Sequence, residues 1–239
     1  MIKLNVVMIG AFPEDINVIK GGVQASVYGL SQALIQRHDE IQRVKVFALP
    51  QTAEAKHPVR NSGGLDVTYL QIPFKILASN ILHVPRLMRE ISKLENAVTH
   101  IHGTGLLQTA LIISLSLRRL ACVWTLHGIT EKETWNRYCQ NKSVITGLRF
   151  VFYRFMERLS LRFARQIIVD TPYVQQALPI KRDNIHVIPQ GIFLDELAGT
   201  VNHPSTENPL ILSVGVMDTR KGLSWPPKTG QVAKRESRP

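Results

Sequence analysis

Residues 98–128 read VTHIHGTGLLQTALIISLSLRRLACVWTLHG, and this stretch decides the fold. A β-branched strand over 98–102 stops at a histidine followed by glycine. A helix over 106–118 comes next, and a second strand over 121–126 also stops at a histidine and glycine, His127-Gly128. Strand, helix and strand at this spacing imply a right-handed crossover and parallel pairing. The same alternation runs outward in both directions. Upstream lie strands over 4–9, 43–49 and 67–72, and a helical face marked by Val23, Val27, Leu30 and Leu34. A further helix is expected over 86–94. Downstream lie a long basic helix over 144–165, a strand over 166–169, a helix opened by Thr171-Pro172 and a strand over 185–189. The expected fold class is α/β, a doubly wound parallel sheet covered on both faces.

Bulk composition narrows the function classes. The 239 residues are 44% hydrophobic and 20% charged, as in an ordinary globular chain. Net charge is +11; Lys228, Lys234, Arg235 and Arg238 against Glu236 place +3 of it in the last sixteen residues. The remaining excess suits a phosphate-bearing ligand, an anionic membrane surface or nucleic acid, but no nucleic-acid motif accompanies it. Two cysteines, Cys122 and Cys139, are too few for a disulfide framework. The N-terminus is a strand and not a signal peptide, and the apolar stretch 106–117 is too short and too polar to span a bilayer. The expected setting is the cytoplasm.

In a sheet of this kind, ligands meet the carboxyl ends of the strands. Gly21-Gly22, after the first strand, opens a helix whose free N–H groups favour a phosphate; a plain turn is the other reading. Gly10-Ala-Phe-Pro lacks the spacing of a dinucleotide fingerprint. His100 and His102 share one face of their strand, but no Asp, Glu or Cys stands beside them at ligand spacing, so no metal is expected. A nucleophile elbow, a Walker loop and a hydrolase carboxylate pair are all absent from the sequence.

Taken in order, Gly21-Gly22, His100-Ile-His102-Gly103, Thr125-Leu126-His127-Gly128, Val187-Ile188-Pro189-Gln190-Gly191 and Leu212-Ser213-Val214-Gly215 up to Lys221-Gly222 resemble the retaining GT-B glycosyltransferases of family four. The resemblance implies a Rossmann-like acceptor-side domain followed by a donor domain. It also implies sugar transfer from a nucleotide sugar, with retention, to a glycan or lipid-linked acceptor, in the manner of cell-envelope polysaccharide synthesis. No cofactor beyond the co-substrate is implied. His127 matches the catalytic histidine beside the donor sugar. Gly21 and Gly22 match the loop at the donor phosphates, and Lys221, with Arg220 beside it, matches the cation that neutralises the leaving diphosphate. His102, Gly103 and Gly128 fall on the acceptor or cleft side. Val216 stands where the family often has an arginine, and Glu95-Asn96-Ala97 lacks the usual aspartate.

The expected organisation is an acceptor-side domain over 1–192, a linker over 193–208, the first strand and loop of a donor domain over 209–223, and a tail over 224–239. That tail has three prolines and almost nothing apolar, so it reads as disordered or out of frame, and the chain as a truncated and inactive form. A non-catalytic remnant that binds acceptor or membrane, and an unrelated α/β phosphate-binding protein, are the alternatives. On the basic helix, Arg154, Arg158, Arg162 and Arg165 share one face, with Phe152, Tyr153, Met156, Leu159 and Phe163 opposite. That face is either simply solvated or a peripheral contact with anionic phospholipid.

Overall fold

A computed structural model describes residues 2–15, 18–19, 21–49, 60–62, 65–71 and 77–191. The described residues form β1 (Leu4–Ala11), α1 (Gly22–Ile35), β2 (Ile41–Leu49), β3 (Arg60–Ser62), β4 (Leu65–Tyr69), α2 (Val84–Ser92), β5 (Ala97–His102) and α3 (Leu106–Leu117). They continue with β6 (Cys122–Leu126), α4 (Thr130–Asn141), α5 (Val144–Phe163), β7 (Gln166–Val169), α6 (Pro172–Ala177) and β8 (Ile185–Val187). The sheet order is β3-β4-β2-β1-β5-β6-β7-β8, parallel throughout except for the short edge strand β3. The α/β reading holds, with β3 an antiparallel addition that three residues without a hydrophobic pattern gave no means to foresee.

Strand alternation sorts the core into two layers. Val7, Ile9, Ile101, Trp124, Leu126, Ile167 and Val169 point to one face and pack with residues of α2, α3 and α5. Val6, Met8, Val44, Val46 and Val67 point to the other and meet Val27 of α1. The second face is not fully covered. Beside α1, half-buried Val98, Val123 and Ile168 line an open cavity of about 470 Å³ that runs up to the strand ends. The α/β layering therefore holds, and among the described residues β5 to β8 carry helices on one face.

The chain runs outward from β1 through β2 to β4 and then returns to lay β5 on the other side of β1. This reversal opens a crevice beyond the carboxyl ends of β1 and β5, the usual ligand position in open α/β sheets.

Local side-chain caps open two of the helices. Thr171 caps α6, its hydroxyl accepting from Val174 N at 3.3 Å with Pro172 in the first turn. Ser143 caps α5 by accepting from Thr146 N at 3.2 Å. Helix α4 is different, because Ile129 holds the cap position and offers no side-chain oxygen. Its cap comes from Glu157, 26 residues away on α5, whose Oε2 accepts from Glu131 N at 3.1 Å. Glu157 is fully buried, and burial pushes its carboxyl up to about 7.

The sign of this effect is testable. The folded protein holds the Glu157 proton more tightly than the unfolded chain does, so the group's contribution is present below the usual carboxyl value of 4.5 and lost as pH rises through 7. Glu157→Gln keeps an oxygen that can accept from Glu131 N and removes the buried charge. It is expected to raise stability at pH 8 by about 2–3 kcal/mol and to change little at pH 5, read by thermal melts at both. A lower melting temperature at pH 8 would show that the ionised cap outweighs its desolvation.

Candidate active site

The described site residues gather where β5, β6 and β7 end. Alternation along β5 puts His100 and His102 on the cavity face, their ring centroids 4.1 Å apart. Room for His102 comes from β1, where Gly10 lies alongside. A Cβ on Gly10 would fall 2.9 Å from His102 Cβ and 3.3 Å from Val27 Cγ2, so only glycine fits. Behind the site, the fully buried Trp124 donates its Nε1–H to Gly103 O at 2.7 Å, and Gly103 N donates to Thr125 O at 3.0 Å. Gly103 turns the chain at φ +79°, a left-handed conformation that favours glycine. These contacts fix the loop that follows His102.

His127 sits one residue past β6, stacked on His102 with centroids 5.4 Å apart and planes 17° apart. His127 Nε2 lies 3.1 Å from His102 Nδ1, and His127 Nδ1 lies 3.0 Å from Gln190 Nε2. The same Gln190 nitrogen donates to Asp170 Oδ2 at 2.8 Å. A carboxylate accepts, so the Gln190 amide nitrogen is the donor to both neighbours. His127 Nδ1 then accepts, its Nε2–H donates to His102 Nδ1, and the His102 proton resides on Nε2. That His102 Nε2 and the second oxygen of Asp170, Oδ1, are buried without a partner among the described residues. His100 is tied separately, with Nε2 2.6 Å from Thr125 Oγ1.

Burial keeps the three imidazoles uncharged. Burial, and then the neighbouring His127, hold His100 down at about 4. Burial and both other rings hold His102 well below the ordinary imidazole value. Burial also lowers His127, with the Asp170 carboxylate opposing it. At neutral pH the site therefore presents neutral imidazoles, one carboxylate and one amide, a set suited to hydroxyl groups. Among the described residues, no group of three His, Cys, Asp or Glu is placed to hold a metal ion.

Of the residues singled out from sequence, His102, Gly103, His127 and Gly128 come together here. Gly21 and Gly22 open α1 at the same end of the sheet. Gly21 adopts φ +115°, no side chain caps the helix start, and a Cβ on either glycine would meet nothing within 4 Å. Arg220 and Lys221 lie outside the described residues. The His127 side chain is only 7% exposed and both ring nitrogens are engaged. Reaching a ligand requires exchange of one of those partners. Gly10, Thr125, Asp170 and Gln190 received no role from sequence reading. Asp170 directly follows β7 and Gln190 lies three residues past β8, and that position was the available signal.

The basic stripe also needs correction. Arg154 and Arg158 are not simply solvated; both reach Glu131 of α4, at 3.4 Å and 3.1 Å. Phe152 is not packed inward either, being 40% exposed.

Comparison with known proteins bears on the fold and the family. A domain of sucrose-phosphate synthase from Thermosynechococcus elongatus superposes with a TM-score of 0.50 at 16% identity, covering 81% of this chain and 92% of that one. This likeness shows the fold alone. A UDP-N-acetylglucosamine 2-epimerase (TM-score 0.47, 16% identity, 77% of this chain and 48% of that chain) and a UDP-forming α,α-trehalose-phosphate synthase from Burkholderia vietnamiensis (0.42, 13%, 74% and 42%) are more distant. The chain spans less than half the length of these two, and they carry no argument. Curated protein sequences give no match. The Glycosyltransferase Family 4 sequence model matches residues 20–196, which contain α1, both His-Gly turns, Asp170 and Gln190. That span is well over half of the chain, and the chain belongs to Glycosyltransferase Family 4.

Proposed function

We propose that residues 1–192 form the acceptor-side domain of a retaining transferase that moves a sugar from a nucleotide-sugar donor to a glycan or lipid-linked acceptor. The observation that supports this most is the convergence of His102-Gly103 and His127-Gly128 beside the β1/β5 switch point, in a chain of this family. In this reading His127 acts at the donor sugar, exchanging its Gln190 or His102 partner for a sugar hydroxyl. The N–H groups at Gly21-Gly22 face the diphosphate, joined by Arg220 and Lys221, so that departing charge is stabilised without a metal. His102, Gly103 and Gly128 line the acceptor side of the cleft. The setting proposed is the cytoplasmic face of a membrane. Among the described residues no helix is long and apolar enough to cross one.

Binding of a nucleotide-sugar donor is the part of this reading open to direct measurement. Titration with UDP- and GDP-sugars tests the binding. For retention, the anomeric configuration of the product is read by NMR from an active enzyme containing this domain. An inverted product would remove the retaining assignment while leaving the family intact.

A further inference from the structure

Helix α5 has two unlike halves. Toward its C-terminal end, Met156, Glu157, Ser160 and Leu161 are buried, with Thr109 of α3 bonded to Ser160 at 2.9 Å. Its first three turns turn an apolar row outward instead. Val144, Ile145, Leu148, Val151, Phe152 and Phe155 are each between 40% and 79% exposed. The steps from Val144 to Leu148, Val151 and Phe155 are four, three and four, so these side chains form one continuous line along the helix. Scattered exposed apolar residues are ordinary, but a contiguous row on one helix marks a surface that meets something.

The exposed charges on this helix are all positive, and Glu131 of α4 is paired with two of them, Arg154 and Arg158. Arg149, Arg154, Arg158 and Arg162 are exposed on the same helix, and its one carboxylate, Glu157, is buried and capping α4. Beyond Phe155 the line continues to Arg158 and Arg162. With Arg182 and Ile180 they line a cavity of about 470 Å³ next to the apolar row. Arg182 is held there by donating Nη1–H to Leu161 O at 2.8 Å and to Arg162 O at 3.3 Å. Arg162 has no carboxylate within ion-pair distance among the described residues.

We propose that the N-terminal half of α5 docks in the plane of an anionic phospholipid membrane, the apolar row entering the headgroup–acyl boundary and Arg162 and Arg182 meeting lipid phosphates. An apolar edge that ends in a basic cavity, with no exposed carboxylate on the helix, complements that surface in both polarity and charge. A second copy of this chain would present the same positive face and repel it. The inference goes beyond sugar transfer, since vesicle binding can be read with no donor or acceptor present.

The test is co-sedimentation of the full chain with vesicles of phosphatidylcholine, with and without phosphatidylglycerol. Binding is expected to the anionic vesicles and to be weak with pure phosphatidylcholine. Leu148→Glu combined with Phe155→Glu is expected to weaken it on the order of a hundredfold. Arg162→Gln is expected to weaken it about fivefold. All of these side chains are exposed, and unchanged circular dichroism would establish intact folding. No binding to anionic vesicles, or undiminished binding by the double variant, overturns the proposal. So does a double variant whose main effect, in analytical ultracentrifugation, is to turn a dimer into a monomer.

Discussion

In an active enzyme containing this domain, His127→Ala is expected to lower turnover on the order of 10²–10³-fold, with a much smaller loss from His100→Ala. The two rings are chemically alike and differ in placement. His127 stands past the end of β6, held by exchangeable contacts of 3.1 and 3.0 Å to His102 and Gln190. His100 lies within β5, buried and bonded to Thr125 Oγ1 at 2.6 Å. A donor that strengthens its bond as charge develops affects turnover more than ground-state binding. Steady-state kinetics of the two variants, compared with their melting temperatures, decide the matter. Equal losses, or an unaffected His127→Ala enzyme, would reduce His127 to a structural strand-end residue.

Trp124→Ala is expected to be the most damaging single change to the domain, at about 3–5 kcal/mol. The indole is fully buried in the larger core layer and its Nε1–H is bonded to Gly103 O at 2.7 Å. Removing it leaves a cavity under the sheet and frees the loop that aims His102. Trp124→Phe keeps most of the apolar volume and leaves the Gly103 carbonyl unpaired, for a loss of about 1–2 kcal/mol. Denaturant unfolding of both variants checks this. Losses of equal size would mean that the hydrogen bond, and not packing, carries the residue's contribution.

How much of this was legible in the sequence depended on where each signal was stored. Most of the parallel strands were readable because they are short β-branched runs that alternate with helical periods, whereas their order in the sheet was not. The site's place followed from strand ends alone, and His102 and His127 do meet there. Helix α4 was not readable: it has no buried residue, and its cap comes from Glu157 far along the chain. What holds it is ring contact with α5, Trp135 to Phe150 at 5.0 Å, which no local pattern announces. The roles of Gly10 and Gln190 were hidden for a related reason. Each acts through a neighbour distant in sequence, Gly10 by leaving space for His102 and Gln190 by bridging His127 to Asp170.

Helix α5 shows the opposite failure. Its period correctly gave a helix with apolar positions, but periodicity cannot say what covers them. Val144, Ile145, Leu148, Val151 and Phe152 in its first three turns are exposed, and two of its arginines are paired with Glu131.

The central claim is that the cluster at the ends of β5, β6 and β7 receives the donor sugar. The most direct measurement is a crystal structure of an active enzyme containing this domain with an intact nucleotide sugar bound. The account predicts a sugar hydroxyl within hydrogen-bond distance of His127, one of the ring's present partners displaced, and the diphosphate over the Gly21-Gly22 amides. A sugar bound elsewhere, with His127 still locked between His102 and Gln190, would contradict it.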